Sequence, residues 1–146
     1  MENLIIETQE QAESLVVDGL LQFDGNIIFK CRIKSGWSIK SGWSIEAGGS
    51  IEAGESIEAG GSIEAGGYIK SDGSIKSGWS IKSGGSIESG ESIEAGESIE
   101  AGWSIEAGSD WGIYCGLSLP LSCKALAIVT AKVEPLNILL GIFVKS

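Results

Sequence analysis

An aliphatic residue returns at every sixth position from Leu15 through Leu21, Ile27, Ile33 and Ile39 to Ile105, sixteen times without a slip. Between these positions the text is nearly constant, and SIEAGGSIEAGESIEAGG at 44–61 holds three copies of it. A period of six is no multiple of the 3.6-residue helical turn, and glycine in almost every copy costs a helix about 1 kcal/mol each time. Ser-Ile-Glu-Ala instead alternates as a short strand does. The pattern excludes helix over residues 15–108 and predicts one strand and one bend per hexapeptide. The aliphatic residue and the Ala or Ser two places on face inward, and the charged residue between them faces out. Gly-x is expected to turn the corner through the positive φ that glycine allows.

One such unit cannot stand alone. Burying an isoleucine contributes roughly 1.5–3 kcal/mol, whereas ordering six residues costs about 1–2 kcal/mol apiece, so the copies must stack on one another as a solenoid. The charged positions report the length of a turn. With 18 residues per turn, Lys34 lies beside Glu52, Glu52 beside Lys70 and Lys70 beside Glu88, while Lys40, Glu58, Lys76 and Glu94 alternate on a second face. Eight of the ten neighbouring pairs between 34 and 106 are then opposite in charge, against six of eleven for a 12-residue turn and eight of nine for a 24-residue turn. A spacing of 18 also aligns Gly49, Gly67 and Gly85 at one corner, which 24 does not. The expected fold is an all-β, single-stranded, three-sided β-solenoid.

Residues 1–33 keep the beat with bulkier side chains and are expected to form an N-terminal capping rung, with 34–108 as the repeat body. Residues 109–146 lose the glycine rhythm, turn apolar and carry Pro120 and Pro135, as a C-terminal cap would. An uncovered solenoid end exposes strand edge. Leu136, Ile138, Leu140, Ile142 and Phe143 are therefore expected to bury against a second copy and make a homodimer. No stretch reaches the 18 apolar residues of a membrane-spanning helix.

Composition narrows the chemistry. Twenty acidic against ten basic side chains, a net charge of −10, disfavour direct binding to nucleic acid or to an anionic membrane. Histidine is absent, which removes the commonest general base and the usual imidazole metal sites. Cys31, Cys115 and Cys123 are odd in number and form no CxxC pair, so they read as small buried hydrophobes. Gly49 and Gly54 bracket a G-x4-G, but no Lys-Ser/Thr follows, and glutamates six apart on separate faces build no calcium cage. No catalytic residue, cofactor or metal is expected. The acidic start MENLIIETQEQAES is no secretory signal, and a cytoplasmic location is expected.

The order aliphatic, any, small, then a glycine turn resembles the hexapeptide β-helices and, more closely, the bactofilins, over about residues 15–108. That resemblance implies a triangular solenoid and end-to-end polymerisation. Left-handed hexapeptide acyltransferases differ, since their small inward residue stands two before the aliphatic, where this chain has Gly49, Trp43 or Glu55, and they use a catalytic histidine. Tandem Ser-Ile-Glu-Ala-Gly text is also similar in style to phage and mobile-element products. That class includes anti-CRISPR and anti-restriction inhibitors of bacterial defence, which act in the host cytoplasm.

Two sets of residues are candidates for partner binding. Lysines neutralise much of the outward glutamate, as an ion-pair ladder, but Glu46 faces Glu64, Glu88 faces Glu106, and the corner residues Glu55, Glu91 and Glu97 have no obvious cation. Rows of such carboxylates imitate phosphates and fit a nucleic-acid-binding protein partner. Trp37, Trp43, Trp79 and Trp103 stand at corners, either shielding backbone or anchoring an interface. Trp43 and Trp79 share a corner with Gly61 between them, an arrangement expected to leave a shallow groove. The odd unit GYIKSD reads as drift, and the Ser38, Ser44 and Ser50 rows resemble, more remotely, the hydroxyl arrays of ice-binding solenoids. The expected function is a non-enzymatic acidic decoy or inhibitor, with bactofilin-like self-assembly as the alternative.

Overall fold

The computed structural model describes residues 2–117 and 127–146, and Cys123 and Pro120 lie outside the described residues. Three parallel sheets wrap a narrow core, as a three-sided solenoid requires. Face I stacks β1 (Asn3–Ile6), β3 (Asn26–Phe29), β6 (Ile45–Ala47), β9 (Ile63–Ala65), β12 (Ile81–Ser83), β15 (Ile99–Ala101), β18 (Ile128–Ala131) and β20 (Ile142–Lys145). Face II stacks β2 (Leu20–Phe23), β5 (Ser38–Ser41), β8 (Ile57–Ala59), β11 (Ile75–Ser77), β14 (Ile93–Ala95), β17 (Ile113–Cys115) and β19 (Ile138–Leu140). Among the described residues face III stacks β4 (Ile33–Ser35), β7 (Ile51–Ala53), β10 (Ile69–Ser71), β13 (Ile87–Ser89) and β16 (Ile105–Glu106).

Strand pairs that lie between Leu21 and Ile105 are offset by 18 residues, Leu21 on Ile39 and then isoleucine on isoleucine, as in Ile45↔Ile63, Ile57↔Ile75 and Ile69↔Ile87. The isoleucines of the repeat are buried, and Ala or Ser two places later joins them inside except at Ser35, Ala47 and Ala107, which are partly buried. The inward serines also complete the corners. Ser77 donates its hydroxyl to the carbonyl of Gly61 at 2.7 Å and accepts from the Trp79 amide at 3.2 Å. Among the described residues no buried side-chain polar atom lacks a partner. Beyond Ile105 the offset slips, with Ile93 paired to Ile113 and Ile99 to Val129, so the cap begins where the glycine rhythm ends.

The corner glycines correct an expectation. None in the repeat body has positive φ; Gly19, Gly116 and Gly141, which do, lie outside it. Close axial stacking sets the requirement instead. A Cβ on Gly84 would stand 2.3 Å from the carbonyl oxygen of Gly66, whereas one on Gly85 would meet nothing nearer than 3.3 Å. Most first corner positions therefore exclude a side chain, although Gly36 and Gly48 meet nothing within 4 Å and Asp72 is accommodated, and the second position holds Trp, Glu or Gly.

The N-terminal end holds a second correction, because the beat does not begin at Leu15. That residue is exposed and caps the C-terminus of α1 (Gln9–Ser14), so the first beat position in the core is Leu21. The Thr8 hydroxyl accepts from the Gln11 amide at the start of α1. This helix seats Gln9 against β4, where its carboxamide donates to the Lys34 carbonyl at 2.8 Å and accepts from the Lys34 amide at 3.2 Å. No helix among the described residues is long and apolar enough to cross a membrane.

Candidate partner-binding surfaces

Alternation within each strand turns one charged side chain outward per rung, and the 18-residue register stacks these into three columns. Each lysine of the repeat body meets the glutamate one rung on: Lys34–Glu52 at 3.3 Å, Lys40–Glu58 at 3.1 Å, Lys70–Glu88 at 3.2 Å, Lys76–Glu94 at 3.4 Å and Lys82–Glu100 at 3.8 Å. Glu88 is thus ion-paired and leaves the set of free carboxylates, although it also stands in register with Glu106. On face I Glu46 stands directly opposite Glu64; among the described residues no cation is ion-paired with either, Lys82 stands in register on the far side of Glu64, and both glutamates are exposed.

Corner carboxylates are less bare than expected. Glu55 accepts from the Ser38 hydroxyl and Glu91 from the Ser74 hydroxyl, each at 2.8 Å, so neighbouring serines hold both without a cation. Glu97 is exposed on the corner that carries Trp43 and Trp79. Hydroxyls of the serine rows are occupied too. Ser44 accepts from the Ser62 amide, Ser98 donates to Ser80, and Ser50 and Ser92 are buried, which leaves no open array of the ice-binding kind.

The four tryptophans fall on three corners. Trp37 is half-buried against the core between faces III and II. Trp103 stands between faces I and III, where the Lys132 ammonium lies 4.2 Å from its ring centroid and the Lys132 amide bonds its carbonyl, so it is fastened to the C-terminal cap. Only Trp43 and Trp79 come together. Their rings meet edge to face, centroids 6.3 Å apart, across the gap above Gly61, and so fill the groove anticipated there. Both remain exposed, by 41% and 50%, which makes them an aromatic ridge. Trp111, outside the repeat, is equally exposed.

This ridge immediately precedes face I in the chain, three residues before Glu46 and, on the rung of β12, before Lys82. Face I itself forms an open trough of about 550 Å³ with Ile28, Lys30, Glu46, Glu64 and Lys82 along it. The Glu46–Glu64 pair thus lies on the floor of this trough between the rungs of Lys30 and Lys82, with the aromatic ridge along the corner that precedes face I. A Trp-rich corner was legible in the sequence; that only two of the four rings meet follows from the three-sided register.

Tyr68, which reads as drift, organises face III. Its hydroxyl donates to Glu52 at 3.0 Å, Arg32 bonds both Glu52 and the Tyr68 hydroxyl, and the guanidinium lies over the ring. Partial burial works to raise the Glu52 carboxyl, but the bonds from Tyr68 and Lys34, with Arg32, outweigh it and hold the group below the usual carboxylate range. Burial above all, and then the Glu10 and Glu7 carboxylates, push the Cys31 thiol up, which leaves it a poor nucleophile. Among the described residues no cluster of Cys, Asp and Glu is placed to hold a metal ion.

At the C-terminal end Leu136 is almost wholly exposed and Ile142 half exposed, while Ile138, Leu140 and Phe143 are partly buried in their own chain. Leu139 and Val144, not anticipated, are exposed beside them. Comparison with protein-family models, with curated proteins and with solved structures found no match to this chain.

Proposed function

We propose that the protein is a non-enzymatic binding protein that occupies the nucleic-acid cleft of a nucleic-acid-handling protein, using face I and the Trp43–Trp79 ridge. The observation that carries this reading is the Glu46–Glu64 pair. Like charges directly opposite on neighbouring strands destabilise a sheet, and a lysine at position 46 would give face I, with Glu64, Lys82 and Glu100, the alternation that Lys34, Glu52, Lys70 and Glu88 form on face III. A carboxylate pair kept at a cost to the fold offers a partner's basic cleft a short row of negative charge about 4.8 Å apart. Exposed tryptophans supply the anchors such an interface needs. The resemblance to phage-type products makes an inhibitor of a bacterial defence nuclease, of the anti-CRISPR or anti-restriction kind, the first partner class to test.

Capture from a bacterial lysate with the wild-type chain and with Glu46→Lys tests the reading. The variant gains an ion pair with Glu64 and should be at least as stable, yet lose the captured protein; wild-type capture should also be released by added duplex DNA. Undiminished capture by Glu46→Lys, or a complex indifferent to DNA, would overturn the proposal. Outer edges of β19 and β20 that no described strand meets favour one second reading, bactofilin-like self-assembly, and long filaments in electron micrographs of the purified protein would replace the first with it.

A further inference from the structure

We propose that the C-terminal end of the rod is a twofold interface between two copies of this chain, closed by antiparallel pairing of β20 with β20 of the second copy. The two ends of the solenoid are built differently. At the N-terminal end Gln9 seals the edge of β4, and residues 2–24 carry six acids and no base. At the other end β20 and β19 are the last strands of faces I and II among the described residues. Within β20 the Ile142 and Ser146 amides donate inward to Ala127 and Ala131. Strand alternation therefore turns the N–H and C=O of Phe143 and Lys145 outward, where no described strand meets them. Around this edge Leu136 is 98% and Leu139 66% exposed, with Ile142 and Val144 near half.

Charge selects the occupant. Residues 109–146 hold two acids and three lysines in a chain of net charge −10, so this is the end at which a second copy approaches without strong repulsion. Two N-terminal ends would oppose twelve carboxylates. Head-to-tail stacking would press Glu7, Glu10 and Glu13 toward an apolar tip, where burial of unpaired charge is costly. Tail-to-tail contact instead covers apolar surface with apolar surface and leaves both acidic faces free for a partner.

A twofold axis through Val144 satisfies every outward group: Phe143 pairs with Lys145 of the second copy and Lys145 with its Phe143. Val144 then faces its own counterpart as a non-hydrogen-bonded pair, with Cα atoms about 4.5 Å apart, inside the range a disulfide spans.

Light scattering should give about 30 kDa for the wild type, twice the 15.2 kDa chain. Lys145→Pro, which removes one outward N–H and keeps the inward ladder, should return the mass to that of the single chain with an unchanged circular dichroism spectrum. Mild oxidation should cross-link Val144→Cys but neither wild type nor Ile142→Cys, whose counterpart lies elsewhere in this register. A concentration-independent mass of one chain, filaments, or a dimer in which Val144→Cys fails to cross-link would each overturn the proposal, the last independently of how Lys145→Pro folds.

Discussion

The carboxamide of Gln9 does for Lys34 what a neighbouring strand does for the other residues of face III, giving one hydrogen bond to its carbonyl and taking one from its amide. An edge strand is thereby closed by a single side chain on a six-residue helix. Gln9→Ala should cost about 1 kcal/mol per bond lost. The more specific sign is faster hydrogen exchange at the Lys34 amide, with little change at the centre of the rod; uniform acceleration everywhere would argue against a local seal.

Neighbouring corner glycines should respond oppositely to one methyl group. Gly84→Ala drives a Cβ onto the Gly66 carbonyl, whereas Gly85→Ala makes a tight 3.3 Å contact with the Tyr68 amide nitrogen that a shift of a few tenths of an ångström relieves. Overpacking of this kind costs about 1–3 kcal/mol or more. Urea unfolding of the two variants should separate them by at least 1 kcal/mol, and equal midpoints would show that the stack relaxes around the methyl.

Trp43 and Trp79 should be energetically coupled. A double-mutant cycle to alanine, read by thermal unfolding, is expected to give about 0.5–1.5 kcal/mol of mutual stabilisation from the edge-to-face contact. If the ridge also anchors a partner, Trp79→Ala should weaken that complex by more than it weakens the fold.

Acid should loosen face III through Glu52. Its carboxyl is held below the ordinary range in the folded chain, so the stability it contributes is fully present above the unfolded carboxylate value and is lost as pH falls through the lower, folded one. Tyr68→Phe removes one of the bonds that depress it. The variant's thermal midpoint should therefore fall less steeply than wild type between about pH 5 and pH 2. Parallel curves would assign the acid sensitivity to other carboxylates.

Periodicity carried most of the fold because each hexapeptide repeats the same physical demand: an isoleucine to bury, a charge to expose, a carbonyl to pass close by. The 18-residue register and the lysine–glutamate ladder follow from it, and so does the bare Glu46–Glu64 pair. Residues acting outside the period were harder to see. The capping pattern of Thr8 and Gln11 was available as a signal for α1, but the aliphatic beat running on through Leu15 masked it. Tyr68 departs from the repeat, and its bond to Glu52 and Arg32 joins residues whose meeting depends on three-dimensional register. Corner glycine was expected for the wrong reason, since φ is a local property and the obstacle, a carbonyl one rung away, is not.

Three sides also set how such a chain can change length. Loss of a single hexapeptide from the body would turn everything beyond it by a third of a revolution, set Lys76 over the wrong column and bring the cap down on a different face. Loss of three consecutive hexapeptides would keep the isoleucine and glycine columns and shorten the rod by one rung, but loss of the rung of Glu52 and Glu58 would set Lys34 against Lys70 and Lys40 against Lys76. The sequence is written in sixes, its core stacks in eighteens, and its charges come back into step only after two such turns.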